Sequence, residues 1–177
     1  MKEGRRRLDR VLDPTFPNDL QSRTTDEIRA MRMDCSEEEA LLSYERRLIH
    51  GRLAILRAEL ELRAGGDESD SIVDRLPQIL AGESRGARGS FTARDPNITF
   101  QQASRRVTKL VSDDTLINLP SLSDEEIRAH VLELEGAELE VSETRVQVFA
   151  VLDRLTEEIA RRYKTGEANP GDLLASL

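Results

Sequence analysis

Two segments of this chain repeat one long-helix pattern, and the repeat constrains the fold more than any other feature. The residues "IRA" occur at 28–30 and again 99 positions later at 127–129, and Leu53 corresponds to Leu152 at the same offset. In both segments, apolar residues recur at alternating spacings of four and three, which is the heptad pattern of a coiled coil. The sequence therefore predicts two long helices that are copies of one element.

Capping motifs indicate where these helices begin. A hydroxyl residue followed three positions later by glutamate caps backbone N–H groups at a helix start. The pairs with this spacing are Thr24 with Glu27, Ser123 with Glu126, and Ser36 with Glu39. The third pair lies inside the first copy, so we expect that copy to break near Cys35 into a short helix and a longer one.

The composition favours long helices that pair with each other. Only 3% of the residues are aromatic while 34% are charged, so any core must be aliphatic and narrow. A helix over residues 123–163 would be about 60 Å long, too long to pack within a small globule, and it needs a partner helix. Two copies of one element pair most simply about a pseudo-twofold axis. We predict an all-α fold, an antiparallel two-helix coiled coil that arose by internal duplication.

This fold divides the chain into five segments. The basic run near the N-terminus is expected to be solvated, and the connection between the copies is rich in Gly and Ser and is expected to be partly disordered. In chain order, the segments are a flexible arm over 1–23, the first motif helix over 24–63, a linker over 64–122 with a short helix near 71–81, the second motif helix over 123–163, and a tail over 164–177.

No pattern typical of an enzyme or a metalloprotein is found. Cys35 is the single cysteine, and His50 and His130 have no cysteine partners at zinc-ligand spacing. The net charge of −8 disfavours nonspecific nucleic-acid binding, and neither an export signal nor a membrane-spanning stretch is visible. We expect a cytoplasmic protein that is not an enzyme, holds no metal or cofactor, and binds neither nucleic acid directly nor a membrane.

A polar triplet occupies the same place in both predicted helices. Glu, Ser and Arg recur at relative positions 0, 4 and 7, as Glu39, Ser43 and Arg46 and as Glu138, Ser142 and Arg145. At 100° per residue, these side chains share one narrow stripe of each helix. The Glu and Arg positions fall in the expected apolar seam, where ions lower the stability of a coiled coil unless something compensates for their desolvation.

Two explanations of the triplets are open on these grounds. In an antiparallel pair, Glu39 meets Arg145 and Arg46 meets Glu138, so that interhelical bridges fix the register of a ligand-independent structural adaptor. Alternatively, the stripe binds a guanine nucleotide. Arginine donates paired hydrogen bonds to the O6 and N7 edge of guanine, and a carboxylate accepts from its N–H groups. Two such stripes suit a two-fold symmetric dinucleotide.

The two helices resemble the motif helices of the RsiG family of anti-sigma factors, which carry E-x3-S-x2-R-x3-Q-x3-D on each strand of an antiparallel coiled coil. The first copy has Glu39, Ser43 and Arg46, then His50 and Ala54 in place of Gln and Asp. The second copy has Glu138, Ser142 and Arg145, then Phe149 in place of Gln, and Asp153. The surrounding residues "SYERRLIHGRLAILRAEL" are also similar to the motif helix of the family.

The resemblance implies a binding function. It implies that cyclic di-GMP binds to the paired stripes and that the loaded protein sequesters a WhiG-type sporulation sigma factor in an actinobacterium. The residues that would bind the nucleotide are Glu39, Ser43, Arg46, His50, Glu138, Ser142, Arg145 and Asp153. Ala54 lacks the carboxylate of the family pattern, and Phe149 can only stack or pack.

The first helix also carries a second apolar series, which the second helix lacks. Its members are spaced seven apart, at Leu41, Leu48, Ile55 and Leu62. An aliphatic stripe beyond the area that two helices bury commonly marks an interface. We expect this stripe to contact the sigma factor, unless the linker helix at residues 72–80 covers it.

Overall fold

The computed structural model describes residues 6–65 and 107–168, and these residues form helices and turns without a β-strand. The α-helices are α1 at Arg6–Val11, α2 at Thr25–Gly65, α3 at Asp113–Ile117 and α4 at Asp124–Thr165. Short 3-10 turns lie at Leu20–Ser22 and Leu119–Ser121, and residues 107–110 are also helical. The predicted all-α fold is confirmed. The short helix expected near 71–81 lies outside the described residues.

Capping residues stand in front of both long helices, as the sequence predicts. At the start of α4, Ser123 Oγ accepts from the Glu126 backbone at 3.3 Å, and the Glu126 carboxylate accepts from the Ser123 N–H at 2.7 Å. Thr24 and Glu27 make the same two contacts before α2, at 3.2 and 2.7 Å. These backbone hydrogen bonds lower the pKa of both glutamates, so the helix starts hold a negative charge where the helix dipole favours it.

Helix α2 continues through Cys35, which corrects the expectation of a break there. Ser36 is an exposed residue within the helix, so the third capping pair does not begin a new one. Met31, Cys35 and Glu38 are buried on one face of α2, and this burial continues across the expected break. Tertiary packing of a helix face supplies most helical stability, and here it outweighs a local capping signal.

The chain divides into two compact units, and both long helices contribute to each of them. Unit 1 contains the described residues 6–40 and 144–168, and unit 2 contains 41–65 and 107–143. The buried apolar residues of unit 1 include Val11, Ile28, Met31, Cys35, Val148 and Leu155. Those of unit 2 include Leu42, Ile49, Leu53, Leu56, Val107, Val111, Leu119, Ile127, Leu134 and Val141. Each unit thus has an aliphatic core, as the low aromatic content predicts.

In each unit, α2 and α4 run antiparallel. The contacts in unit 1 pair Thr25 with Arg162 and Glu39 with Arg145. The contacts in unit 2 pair Arg46 with Glu138, Arg57 with Glu135, and Arg63 with Asp124. Residue numbers rise on α2 while they fall on α4, which confirms the predicted antiparallel pairing.

Residues 6–23 are folded against the long helices, which corrects the expectation of a flexible arm. Arg7 in α1 lies 2.5 Å from the carboxylate of Glu38, which is buried on α2, and Arg10 also pairs with an acid of α2. Further along, Arg162 donates to the Leu20 carbonyl at 2.6 Å. Arg7 and Arg10 of the basic run are held in place because carboxylates on α2 take the place of solvent as their partners.

The duplication extends beyond the two long helices. The 3-10 turns are 99 residues apart, and each directly precedes a capped long helix. In both, an arginine from the end of the other long helix donates to the first carbonyl of the turn. These pairs are Arg162 with Leu20 at 2.6 Å and Arg63 with Leu119 at 3.0 Å. A short helical segment precedes each turn, so the repeated element comprises a short helix, a turn and a long helix.

The second apolar series of α2 is not a free surface. Leu41 is buried, and the other three members, Leu48, Ile55 and Leu62, are partly covered. Arg52 shares a helix face with Leu48 and Ile55, and it donates to the Val111 carbonyl at 3.0 Å. Residues around Val111 therefore run along this face. Residues 72–80, which the sequence offered as an alternative cover, lie outside the described residues.

Candidate functional site

In unit 2, three polar side chains converge on the carboxylate of Glu138. Arg46 Nε donates to Glu138 Oε1 at 2.7 Å, and Ser142 Oγ donates to the same oxygen at 2.8 Å. His50 Nε2 lies 3.2 Å from that oxygen. Since Arg46 and His50 come from α2 while Glu138 and Ser142 come from α4, the cluster depends on the antiparallel pairing of the two helices.

The cluster keeps its carboxylate ionised. The hydrogen bond from Arg46 is the main reason that the pKa of Glu138 falls from 4.5 to about 2, and the contacts with His50 and Ser142 act in the same direction. Burial acts against them, but Glu138 retains 24% of its side-chain exposure, so the hydrogen bonds prevail. Glu138 is therefore a hydrogen-bond acceptor at physiological pH.

Unit 1 contains the corresponding pair with different neighbours. Arg145 Nε donates to Glu39 Oε1 at 2.9 Å. Phe149 stands where the first copy has His50, and its ring centre lies 4.7 Å from the Arg145 guanidinium carbon, a distance typical of a cation–π contact. Arg145 is thus held between a carboxylate and an aromatic ring.

The remaining predicted site residues lie at the edges of these pairs. Ser43 is half-buried on α2, and its backbone carbonyl accepts from Arg47 at 3.3 Å. Asp153 is exposed, and its carboxylate has no hydrogen-bond or ion-pair partner within the described residues. The structure thus brings together the Glu and Arg of opposite triplets, and Asp153 takes no part in these ion pairs. The two Glu–Arg ion pairs are the bridges expected of a structural adaptor. The same side chains are the ones that would bind a guanine nucleotide.

A cavity of about 340 Å³ lies beside Arg46 and Glu138 in unit 2. Its lining residues are Arg46, His50, Leu53, Ala54, Arg57, Glu135 and Glu138. The volume is within the range of about 300–1,000 Å³ that is usual for ligand pockets. Ala54, which stands where the family pattern has Asp, contributes only a methyl group to the wall. The cavity therefore combines charged side chains with a small apolar surface.

Two residues of this cavity, Arg57 and Glu135, were not predicted from the sequence. Arg57 Nη2 lies 2.6 Å from Glu135 Oε1. The available signal was spacing, because Arg57 lies three residues after Ala54 and so falls on the same helix face. Neither residue belongs to the repeated triplet, so the repeat does not indicate them.

The fold and the site define a class of protein, a duplicated antiparallel helix pair with a polar Glu–Arg contact in each unit. A model of the RsiG-like family matches residues 14–80, which include the first triplet. The match supports an RsiG-type protein and confirms the resemblance of the first motif helix, while the second motif helix lies outside the matched residues. It indicates a regulator of the anti-sigma-factor type with a partner of the sigma-factor kind. A comparison with curated proteins found no match.

The apolar surface of the described residues bears on membrane and partner contacts. No helix within residues 6–65 and 107–168 has the length and apolar character needed to cross a membrane. On α4, Leu132 is 69% exposed and Leu139 is 58% exposed, and their spacing of seven places them on one face. Large apolar side chains are therefore accessible on α4, whereas the second apolar series of α2 is buried or partly covered.

Proposed function

We propose that this chain is an anti-sigma factor that binds cyclic di-GMP through its Glu–Arg pairs and, in that state, sequesters a WhiG-type sporulation sigma factor. The observation that carries the proposal is the cavity of unit 2, where Arg46, His50 and the ionised Glu138 adjoin an apolar wall. The RsiG-like match over the first triplet supports it.

Guanine is complementary to the groups around this cavity. The Arg46 guanidinium can donate two parallel hydrogen bonds to the O6 and N7 edge, and the Glu138 carboxylate can accept from the ring and exocyclic N–H groups. Leu53 and Ala54 offer an apolar contact to the face or edge of the base. Both the polar and the apolar parts of a guanine nucleotide thus find partners there.

Binding requires the ligand to replace the Arg46–Glu138 bridge. The two side chains are 40% and 24% exposed, so solvent screens part of the attraction between them. A good bidentate contact to a base contributes about 1–3 kcal/mol. The bridge therefore holds the side chains in place without opposing the ligand strongly.

The second Glu–Arg pair, in unit 1, offers a nucleotide a similar set of groups. Arg145 and Glu39 supply the same pair of groups, and Phe149 beside Arg145 supplies a ring for stacking. Asp153, exposed and without a partner among the described residues, is available to accept from guanine. In this proposal, the two copies recognise the same kind of nucleotide through partly different contacts.

The nucleotide acts as a coupling ligand, and no covalent bond is made or broken. Cyclic di-GMP contributes contacts to both proteins, so its affinity for the complex exceeds its affinity for either component alone. The protein we propose is a cytoplasmic actinobacterial regulator that is not an enzyme, needs no cofactor beyond this ligand, and binds nucleic acid only through its sigma partner.

Calorimetric titration with cyclic di-GMP tests the proposal. We expect Arg46→Ala and Arg145→Ala to lower the affinity, because each removes a guanidinium worth about 1–3 kcal/mol in a bidentate contact, while circular dichroism shows unchanged helicity. Arg128→Ala is the matched control, since Arg128 is 57% exposed and its ion-pair partners among the described residues are acids of its own helix.

The second candidate function is a ligand-independent structural adaptor, favoured by the interhelical bridges at 2.7 and 2.9 Å. This candidate predicts that cyclic di-GMP produces no binding heat with the wild-type protein. It also predicts that Arg46→Ala and Arg145→Ala sharply lower the thermal midpoint. That combination of results would replace the nucleotide proposal.

A further inference from the structure

Arg57 and Glu135 line the unit 2 cavity but lie outside every position of the family motif. Their side chains are 54% and 43% exposed, and they form an ion pair at 2.6 Å. The cavity they share with Arg46 and Glu138 therefore contains a second guanidinium and a second carboxylate. A pair this exposed contributes little to the stability of the fold. Its place in the cavity points to a role in binding.

The arrangement along α2 makes that helix's side of the cavity cationic. Positions 46, 50, 54 and 57 are separated by four, four and three residues, so they share one helix face. Ala54 stands among them without a carboxylate, so the cavity-lining residues of α2 include two guanidinium groups and no acid. Arg46 pairs with Glu138, so of the two arginines of α2 that line the cavity it is Arg57 that can contact a further anionic group.

We propose that Arg57 is a phosphate-contacting residue of the unit 2 site. Its guanidinium leaves Glu135 and binds a phosphate oxygen of the cyclic dinucleotide whose guanine is held by Arg46 and Glu138. Arginine suits this role because its planar fork matches phosphate geometry and forms charge-assisted hydrogen bonds. The inference deepens the proposed function and rests on it.

The second copy differs at the equivalent positions. Thr156 stands where the first copy has Arg57, and its hydroxyl donates to the Leu152 carbonyl of its own helix at 2.8 Å. Asp153 stands where the first copy has Ala54. The first copy thus has an additional cation suited to phosphate, and the second has an additional carboxylate suited to a guanine edge.

Titrations of the full-length chain with cyclic di-GMP at low and high ionic strength test the inference. We expect Arg57→Ala to lower the affinity about tenfold or more at low salt, the loss expected for a charge-assisted hydrogen bond, and to weaken the salt dependence. Arg57→Lys should recover most of the affinity, because a phosphate accepts a point charge. Arg46→Lys should not, since base recognition needs the bidentate fork.

Two results would overturn the inference in distinguishable ways. If Arg57→Ala binds as tightly as the wild type while Arg46→Ala loses binding, the role of Arg57 is wrong and the proposed function stands. If the wild type binds no cyclic di-GMP at either ionic strength, the proposed function fails and the inference fails with it. Arg128→Ala, equally exposed, should leave affinity and salt dependence unchanged, and circular dichroism should show all variants folded.

Discussion

Glu138 is the residue whose ionisation links the site to the stability of the fold. Its pKa is held at about 2, below the ordinary 4.5, so its contribution is fully present above pH about 4.5 and is lost as the pH falls towards 2. We expect the urea midpoint of the wild type to fall across that window, and Glu138→Gln to remove part of the fall. Circular dichroism at a series of pH values checks this, and parallel curves for the two proteins would contradict it.

Position 54 tests whether the two copies recognise the ligand alike. Ala54→Asp restores the carboxylate of the motif, and we expect it to raise cyclic di-GMP affinity by about 1 kcal/mol, the scale of a hydrogen bond to a charged group. Asp153→Ala should lower the affinity without lowering stability, since Asp153 is exposed and has no partner among the described residues. Calorimetric titration measures both effects.

The Ala54→Asp variant needs one control, because Arg57 lies within reach of a side chain three residues earlier on the helix. The same substitution in an Arg57→Ala background separates a new contact to guanine from a new ion pair within α2. A loss of affinity at position 54 in both backgrounds, with no loss at position 153, would show that the stripes do not bind guanine as we propose.

At the scale of the elements, the accessible apolar surface of α4 is the better test of partner binding. Leu139 is 58% exposed, so Leu139→Glu should weaken capture of the sigma factor and leave helicity unchanged. Leu48 is partly covered, so Leu48→Glu should also lower the thermal midpoint. Pull-down and circular dichroism measure the two effects, and unchanged capture by Leu139→Glu would exclude that face.

The sequence predicts the long helices well because their determinants are local. The capping pairs at Thr24 and Ser123 lie within three residues of their partners, and the heptads define which faces meet. The capping pair at Ser36 misleads because burial of Met31 and Cys35 depends on packing and not on neighbouring residues. Local patterns therefore predict where a helix can begin, and tertiary contacts decide whether it does.

The short helix α1 and the cavity were harder to predict for a related reason. Arg7 finds its acidic partners about thirty residues further along the chain, and six residues are too few to show a period. The interhelical Glu–Arg pairs followed from the repeat, but Arg57 and Glu135 lie at positions that do not repeat. Contacts between residues far apart in the sequence, without symmetry to reveal them, became visible only in the structure.

At the scale of the whole molecule, the duplicated element predicts equivalent roles for Arg162 and Arg63. Arg162 is buried and donates to the Leu20 carbonyl, so Arg162→Ala leaves an acceptor without its donor and should cost about 1–3 kcal/mol of unfolding free energy. Arg63→Ala should act in the same direction through the Leu119 carbonyl. Thermal melts should show a smaller effect for the more exposed Arg161, and an equal effect would contradict this role.

Each compact unit takes its Glu from one copy of the element and its Arg from the other. If two identical chains supplied the copies, every substitution would change both units together, and the two Glu–Arg contacts would remain identical. Fusion into one chain removes that restriction, because a mutation then changes one unit while its counterpart keeps the ancestral residue. His50 at the position equivalent to Phe149, and Ala54 at the position equivalent to Asp153, are differences that a single chain permits.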